Sequence, residues 1–188
     1  TWSLLLTTSI DAWEILAGKF VGVVRRCLPA WVLLFGHAAA FAIVGYVRPV
    51  AILQLGLIVL WTTVFLSCTG LYFSLRFKHT TTAVIANLGV AVGLWAVFPL
   101  MLAIVLAVGH VDTDVIEPYL DMNPFVQAGV VAMATTQADK VLDYKWVQGG
   151  LSSAADATGW IFLTALVHGI VGLAVAAWTG SRLRRNPL

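Results

Sequence analysis

Four stretches of the chain, residues 27 to 47, 49 to 75, 79 to 111 and 157 to 181, run without a single Asp, Glu, Lys or Arg. Each reaches the roughly 20 residues a helix needs to cross a hydrocarbon core about 30 Å thick. None shows the alternation over about ten residues that marks a barrel strand. The pattern therefore predicts an all-α, polytopic membrane bundle of four spanning helices. Two parts do not cross: a mixed N-terminal segment, residues 1 to 26, and a longer segment between the last two spans, residues 110 to 157. The spans themselves divide into residues 27 to 109 and a final unit, 158 to 188, that ends in a basic tail.

Local signals fix where helices start and turn. Asp11, Ala12, Trp13 and Glu14 form a capping box, in which each acid can accept from the other's backbone amide. From there Ile15, Leu16, Phe20, Val23 and Val24 continue at helical spacing, while Lys19, Arg25 and Arg26 can snorkel to headgroup depth. Pro29 predicts a kink as this helix enters the bilayer. The preceding "TWSLLLTT" is too short to cross, so it is expected to lie along the membrane surface or against protein and to make an elbow with the capped helix. Span one is expected to end near Tyr46, followed by a tight turn at Arg48 and Pro49. In span three, Gly89 and Gly93 are four apart and suggest close helix packing, as do Gly172, Ala176 and Gly180 in span four. Between these spans, Asn123 stands as an N-cap with Pro124 at the first helical position, predicting a short apolar helix at or dipping into the outer leaflet.

Charge adds direction. Lys19, Arg25, Arg26, Arg76, Lys78, Arg182, Arg184 and Arg185 fall on one side of the predicted spans, and only Arg48, Lys140 and Lys145 on the other. The positive-inside rule makes the richer side cytoplasmic, which predicts a multi-pass protein of the cytoplasmic (inner) membrane with both ends of the chain in the cytoplasm. Asp112, Asp114, Glu117, Asp121, Asp139, Asp143 and Asp156 all lie in the outer segment. A chain that is 60% hydrophobic and 11% charged is no soluble globule, for which about a quarter of residues are charged. Its net charge of +2 sums two opposed faces, and no basic patch with interleaved aromatics points to nucleic acid. Cys27 and Cys68 read as small buried apolar residues.

Candidate chemistry is sparse. The sequence has no phosphate loop, no His-Glu-x-x-His, no paired-cysteine metal motif and no Gly-x-Ser-x-Gly elbow, so it is not expected to be an enzyme. His37 and His168 count to the middle of their spans, where they could line a translocation pathway, bond a neighbouring helix, or hold a haem iron between them. Asn87 has the same two readings, pathway or interhelical contact. Gln54, Ser67, Thr69 and Thr164 are expected to face other helices. Trp31, Trp61, Trp95, Trp160 and Trp178 read as interface belt or packing. The capped helix stands apart: Asp11 and Glu14 are the only acids in the first 111 residues. An acidic tip at the inner surface suits a protein partner better than anionic lipid.

At this point the N-terminal residues resemble the permease subunits of ABC type-2 transporters. Those often carry T-L-E-L-L-L-A-T-P-L-S-x-x-E-I-L-x-G-K just before a span, and Thr1 to Lys19 reads T-W-S-L-L-L-T-T-S-I-D-A-W-E-I-L-A-G-K. The shared positions are Thr1, Leu4 to Leu6, Thr8, Glu14, Ile15, Leu16, Gly18 and Lys19. Asp11 replaces a usual Ser, Ser3 stands where an acid is common, and Ser9 where Pro is common. Further along, Gly70, Ser74, Arg76 and Ala83 are similar to a second family pattern, and Asn123-Pro124 to a third. Such permeases usually have six spans, so the resemblance implies that these are the last four, with an outer helical hairpin between the final two.

The same resemblance implies a function. It makes residues 1 to 19 a cytoplasmic coupling element, with Asp11, Ala12, Trp13, Glu14 and Lys19 against a separate ATPase subunit that holds the ATP and Mg. No cofactor is expected in this chain, and a second permease copy is expected beside it. The substrate would move across the membrane, outward rather than inward. Two other readings stay open at this stage: an anchor or assembly subunit that only tethers a cytoplasmic partner, and a haem-binding membrane redox protein.

Overall fold

A computed structural model of the chain describes residues 12–109, 116–136 and 154–185. Within these it is all-helical, with six helices: α1 (Ala12–Ile43), α2 (Pro49–Arg76), α3 (Thr80–Gly109), α4 (Glu117–Asp121), α5 (Pro124–Thr136) and α6 (Ala154–Arg185). Four of them, α1, α2, α3 and α6, are long and apolar enough to span a membrane. The "TWSLLLTT" segment, the Asp11 cap, and the acids Asp112, Asp114, Asp139 and Asp143 lie outside the described residues.

The short connections make successive spans antiparallel. One end of the bundle therefore collects Lys19, Arg76, Lys78 and Arg182 and is called here the basic end; α4 and α5 stand at the opposite, cap end.

Helix α1 is a single element of 32 residues, about 48 Å long. The sequence boundary at residue 26 falls inside it, so the capped segment and span one form one rod from Ala12 onward. Pro29 removes the donor to the carbonyl four residues back but does not interrupt the helix. Its end is a Schellman motif: Tyr46 N–H donates to Phe41 O at 2.9 Å and Gly45 N–H to Ala42 O at 3.1 Å. Gly45 has φ +85°, a conformation that glycine adopts with little penalty because it has no Cβ. Helix α2 then starts with Pro49 at its first position.

Helix α2 is the spine. It packs against α1, α3, α5 and α6, most extensively against α6. At the cap end Ala51 and Ile58 of α2 meet Val131 of α5 and Ile161 of α6. Deeper in, Trp61 and Phe65 of α2 meet Ala91 and Trp95 of α3. Lipid tails are as apolar as these side chains, so close packing and interhelical bonds hold the spans together rather than burial from water. Close approach is clearest at Gly172, where an added Cβ would lie 3.5 Å from Cys68 Cβ and 3.6 Å from the Phe65 Cα. With Ala176 and Gly180 also buried, the small-residue stripe of α6 lies in the α2–α6 seam.

The other glycine pair does not behave this way. A Cβ on Gly89 or Gly93 would meet nothing within 4 Å among the described residues, which corrects the expectation of close packing there. Gly93 instead opens a π-helical turn, Gly93–Val97, in the middle of α3. The cause is Pro99, which has no N–H. An α-helical residue 99 would donate to Trp95 O, and a π-helical one to Leu94 O. Proline can do neither, and its ring crowds the carbonyl four residues back. The widened turn is seen in Phe98 N–H, which reaches back to Gly93 O.

Candidate functional site

At the basic end of α1, Trp13 is 46% exposed and Glu14, Ala17 and Gly18 are exposed, while Lys19 is half-buried. The described part of the helix begins at Ala12, and Asp11 lies outside the described residues. Glu14 in the first turn favours the helix start through the macrodipole. The most apolar stretch of α1 is 0% buried. Trp13, Glu14 and Lys19 thus stand on a rod whose apolar stretch has no fully buried residue among the described residues.

Inside the bundle the polar side chains form a ladder from the cap end toward the basic end. Nearest the cap end, Gln54 Nε2 donates to Thr158 Oγ1 at 2.9 Å and to Ala154 O at 3.3 Å on α6. Next, Gln127 of α5 donates through Nε2 to Thr164 Oγ1 at 2.9 Å and to Asp121 O at 2.7 Å. Thr164 is 0% exposed and its hydroxyl donates a hydrogen bond to Trp160 O at 2.8 Å. Toward the basic end, Thr69 Oγ1 donates to Asn87 Oδ1 at 2.6 Å and Asn87 Nδ2 to Leu66 O at 3.0 Å, tying α3 to α2. Gly70 makes room for this bridge, since a Cβ there would lie 3.2 Å from Asn87 Nδ2. Asn87 is therefore placed in an interhelical contact, as the buried Gln54, Thr69 and Thr164 are.

Two rungs of the ladder close the π turn of α3. Asn123 Nδ2 donates to Trp95 O at 2.6 Å, and the Tyr119 hydroxyl donates to Leu94 O. These are the two carbonyls that Pro99 leaves without a helical donor, and both find one in the segment after α3. Asn123 also accepts from Phe125 N–H at 3.0 Å, so one amide caps α5 and repairs α3. Burial pushes the Tyr119 phenol above its usual pKa, which keeps its proton in place for Leu94. Its ring lies 5.0 Å from that of Phe98.

Between the polar rungs sits an aromatic group. The His168 ring lies 4.6 Å from Trp61 and 5.2 Å from Phe65. Trp61 and Trp95 meet edge-on at 5.9 Å, and their buried indole N–H groups have no hydrogen-bond partner among the described residues. His168 itself bonds through Nδ1 to Thr164 O at 3.0 Å. His37 makes the matching bond to Leu33 O at 2.8 Å but is exposed, beside Pro29, Gly36 and Ala40 in an open groove on α1.

The two histidines do not share a depth. Phe35 reaches Gly56 of α2, which sets His37 near the cap end, whereas His168 is level with Trp61 and Phe65. At 1.5 Å per residue the rings are separated by roughly 10 Å along the bundle. Two ligands of one iron need nitrogens within roughly 4 Å. The shift arises because α1 ends at Ile43, so His37 lies six residues from its end instead of at its centre. Within one chain, then, His37 and His168 are not placed to share an iron. Among the described residues no group of three or more His, Cys, Asp or Glu gathers elsewhere.

Sequence reasoning missed the π turn, the Tyr119 donor to it and the second role of Asn123, and it left Gln127 unremarked. The available signal was a proline in mid-span followed by Asn123 and Tyr119 in the next polar segment. No model of a known protein family, no curated protein and no solved structure matches this chain.

Proposed function

We propose that the chain is the membrane permease subunit of an ATP-driven ABC transporter, acting as an exporter with a separate ATPase subunit and a second permease copy. Its basic end faces the cytoplasm. The observation that carries this reading is α1: one continuous helix from Ala12 to Ile43, with exposed Trp13 and Glu14 at its start and no fully buried residue in its apolar stretch. A rod about 48 Å long converts a small displacement at its tip into tilt across the whole membrane. That shallow burial lets it move against α2 without unpicking the polar ladder. Closure of the nucleotide-loaded ATPase would bias this two-state element, with the acidic tip and Trp13 as the grip.

The test uses the full-length permease and an ATPase encoded in a neighbouring reading frame. Reversing Asp11 and Glu14 to Lys, and separately Trp13→Ala, is expected to weaken co-purification by about tenfold or more, since a lost aromatic anchor or a like-charge contact costs about 2 kcal/mol or more. ATP-dependent transport in reconstituted vesicles should fall in parallel. Unchanged co-purification and transport in both variants would remove the assigned contact. ATPase binding without any transport by the unaltered complex would favour an anchor.

A further inference from the structure

At the basic end, the seam between α2 and α6 carries a built arrangement that the coupling of α1 does not use. Tyr72 of α2 and Trp178 of α6 stack at 5.4 Å with their planes 20° apart. The Arg182 guanidinium lies over the Trp178 ring, 4.5 Å from its centroid. Arg76 stands one helical turn beyond Tyr72, as Arg182 stands one turn beyond Trp178, so each cation shares a face with one of the stacked rings. Both arginines are exposed, and neither has an acidic partner among the described residues. Lys78 follows Arg76 and is also exposed.

Depth completes the picture. His168 is the midpoint of the apolar stretch Ala154–Arg182, and Trp178 lies ten residues further along, about 15 Å. That is half of a hydrocarbon core about 30 Å thick. The stacked rings therefore sit at the edge of the hydrocarbon, and the guanidinia reach about 6 Å beyond, into the headgroup layer. Contact with the Trp178 ring holds the Arg182 guanidinium near the seam, and a guanidinium supplies the forked donors that suit a phosphate.

We infer that the Tyr72–Trp178 seam, with Arg76 and Arg182 above it, binds the headgroup phosphate of an anionic phospholipid. Two unpaired guanidinia select a headgroup with net negative charge over a zwitterionic one. The aromatic floor receives the glycerol backbone, and the apolar faces of α2 and α6 continue under the acyl chains. The site is independent of the transporter reading.

Native mass spectrometry of the full-length, detergent-purified protein tests it, with phosphatidylglycerol, phosphatidylcholine and inorganic phosphate as probes. One phosphatidylglycerol should be retained at least tenfold more strongly than phosphatidylcholine. The double variant Arg76→Gln and Arg182→Gln should abolish that preference, and Arg76→Lys with Arg182→Lys should weaken it by about threefold while keeping the charge. Arg25→Gln with Arg26→Gln, which removes as much charge from α1, should leave it intact. Equal loss from the α1 variant would mean diffuse attraction to the basic end and would overturn the site. Displacement of the lipid by millimolar phosphate would reassign it to a free anion. Unfolding of the Gln variant leaves the Lys variant to decide, since an unchanged preference there refutes the guanidinium geometry.

Discussion

Asn123→Ala is expected to destabilise the protein by about 2–4 kcal/mol, because it removes an N-cap worth about 1 kcal/mol and strands a buried carbonyl at about 1–3 kcal/mol. The cap is the Phe125 N–H to Asn123 Oδ1 bond, and the carbonyl is that of Trp95. Reversible unfolding in mixed micelles measures the total. Asn123→Ser separates the parts, since serine retains the cap acceptor but is too short to reach across to α3. Pro99→Ala provides the decisive background. With an N–H restored at position 99, the Trp95 carbonyl has a donor in its own helix, so Asn123→Ala should cost only the cap. A double-mutant cycle should therefore show a coupling of about 1–3 kcal/mol between Asn123 and Pro99. No coupling would mean that the π turn does not arise from the missing proline donor.

Gly172→Leu should be comparably damaging for a different reason. An alanine Cβ at this position would make ordinary contacts of 3.5 and 3.6 Å with Cys68 and Phe65, so Gly172→Ala is expected to be nearly neutral. Leucine needs a further three heavy atoms where the α2 backbone stands. Overpacking of this kind costs about 1–3 kcal/mol or more, and here it is relieved only by moving α6 away from its most extensive partner. The native Cys68 reports the movement, because it is 4% exposed beside Gly172. In a Cys27→Ser background, Cys68 should resist a membrane-permeable maleimide in the parent and in Gly172→Ala, and react rapidly in Gly172→Leu. Equal protection in all three would show that the seam accommodates bulk elsewhere.

The spans were legible because charge-free runs of this length have few other fates, and α5 because Asn123-Pro124 is a local signal that needs no distant partner. The stripe at Gly172, Ala176 and Gly180 was readable for the same reason. Gly89 and Gly93 show the limit of such patterns: small residues permit contact without supplying a neighbour, and here the space belongs to a turn reshaped by Pro99. The ladder was half legible. Gln54, Thr69, Asn87 and Thr164 are conspicuous as polar residues in apolar runs, but which of them meet depends on how α2, α3 and α6 align. His37 illustrates a boundary error with a chemical consequence. Charge placement at Arg25 and Arg26 set the expected span at 27 to 47, while the Schellman turn at Gly45 ends the helix at Ile43 and lifts His37 toward the cap end.

A π turn is geometrically an α-helix into which one residue has been inserted. Span three therefore holds a surplus residue between Gly93 and Val97. Shortening the chain by one there leaves the two halves of the span facing the directions they face now. The same loss anywhere else along Thr80–Gly109 swings the outer half through about 100° and carries every packing face beyond it out of alignment. A one-residue deletion in this span is thus tolerable in a single window.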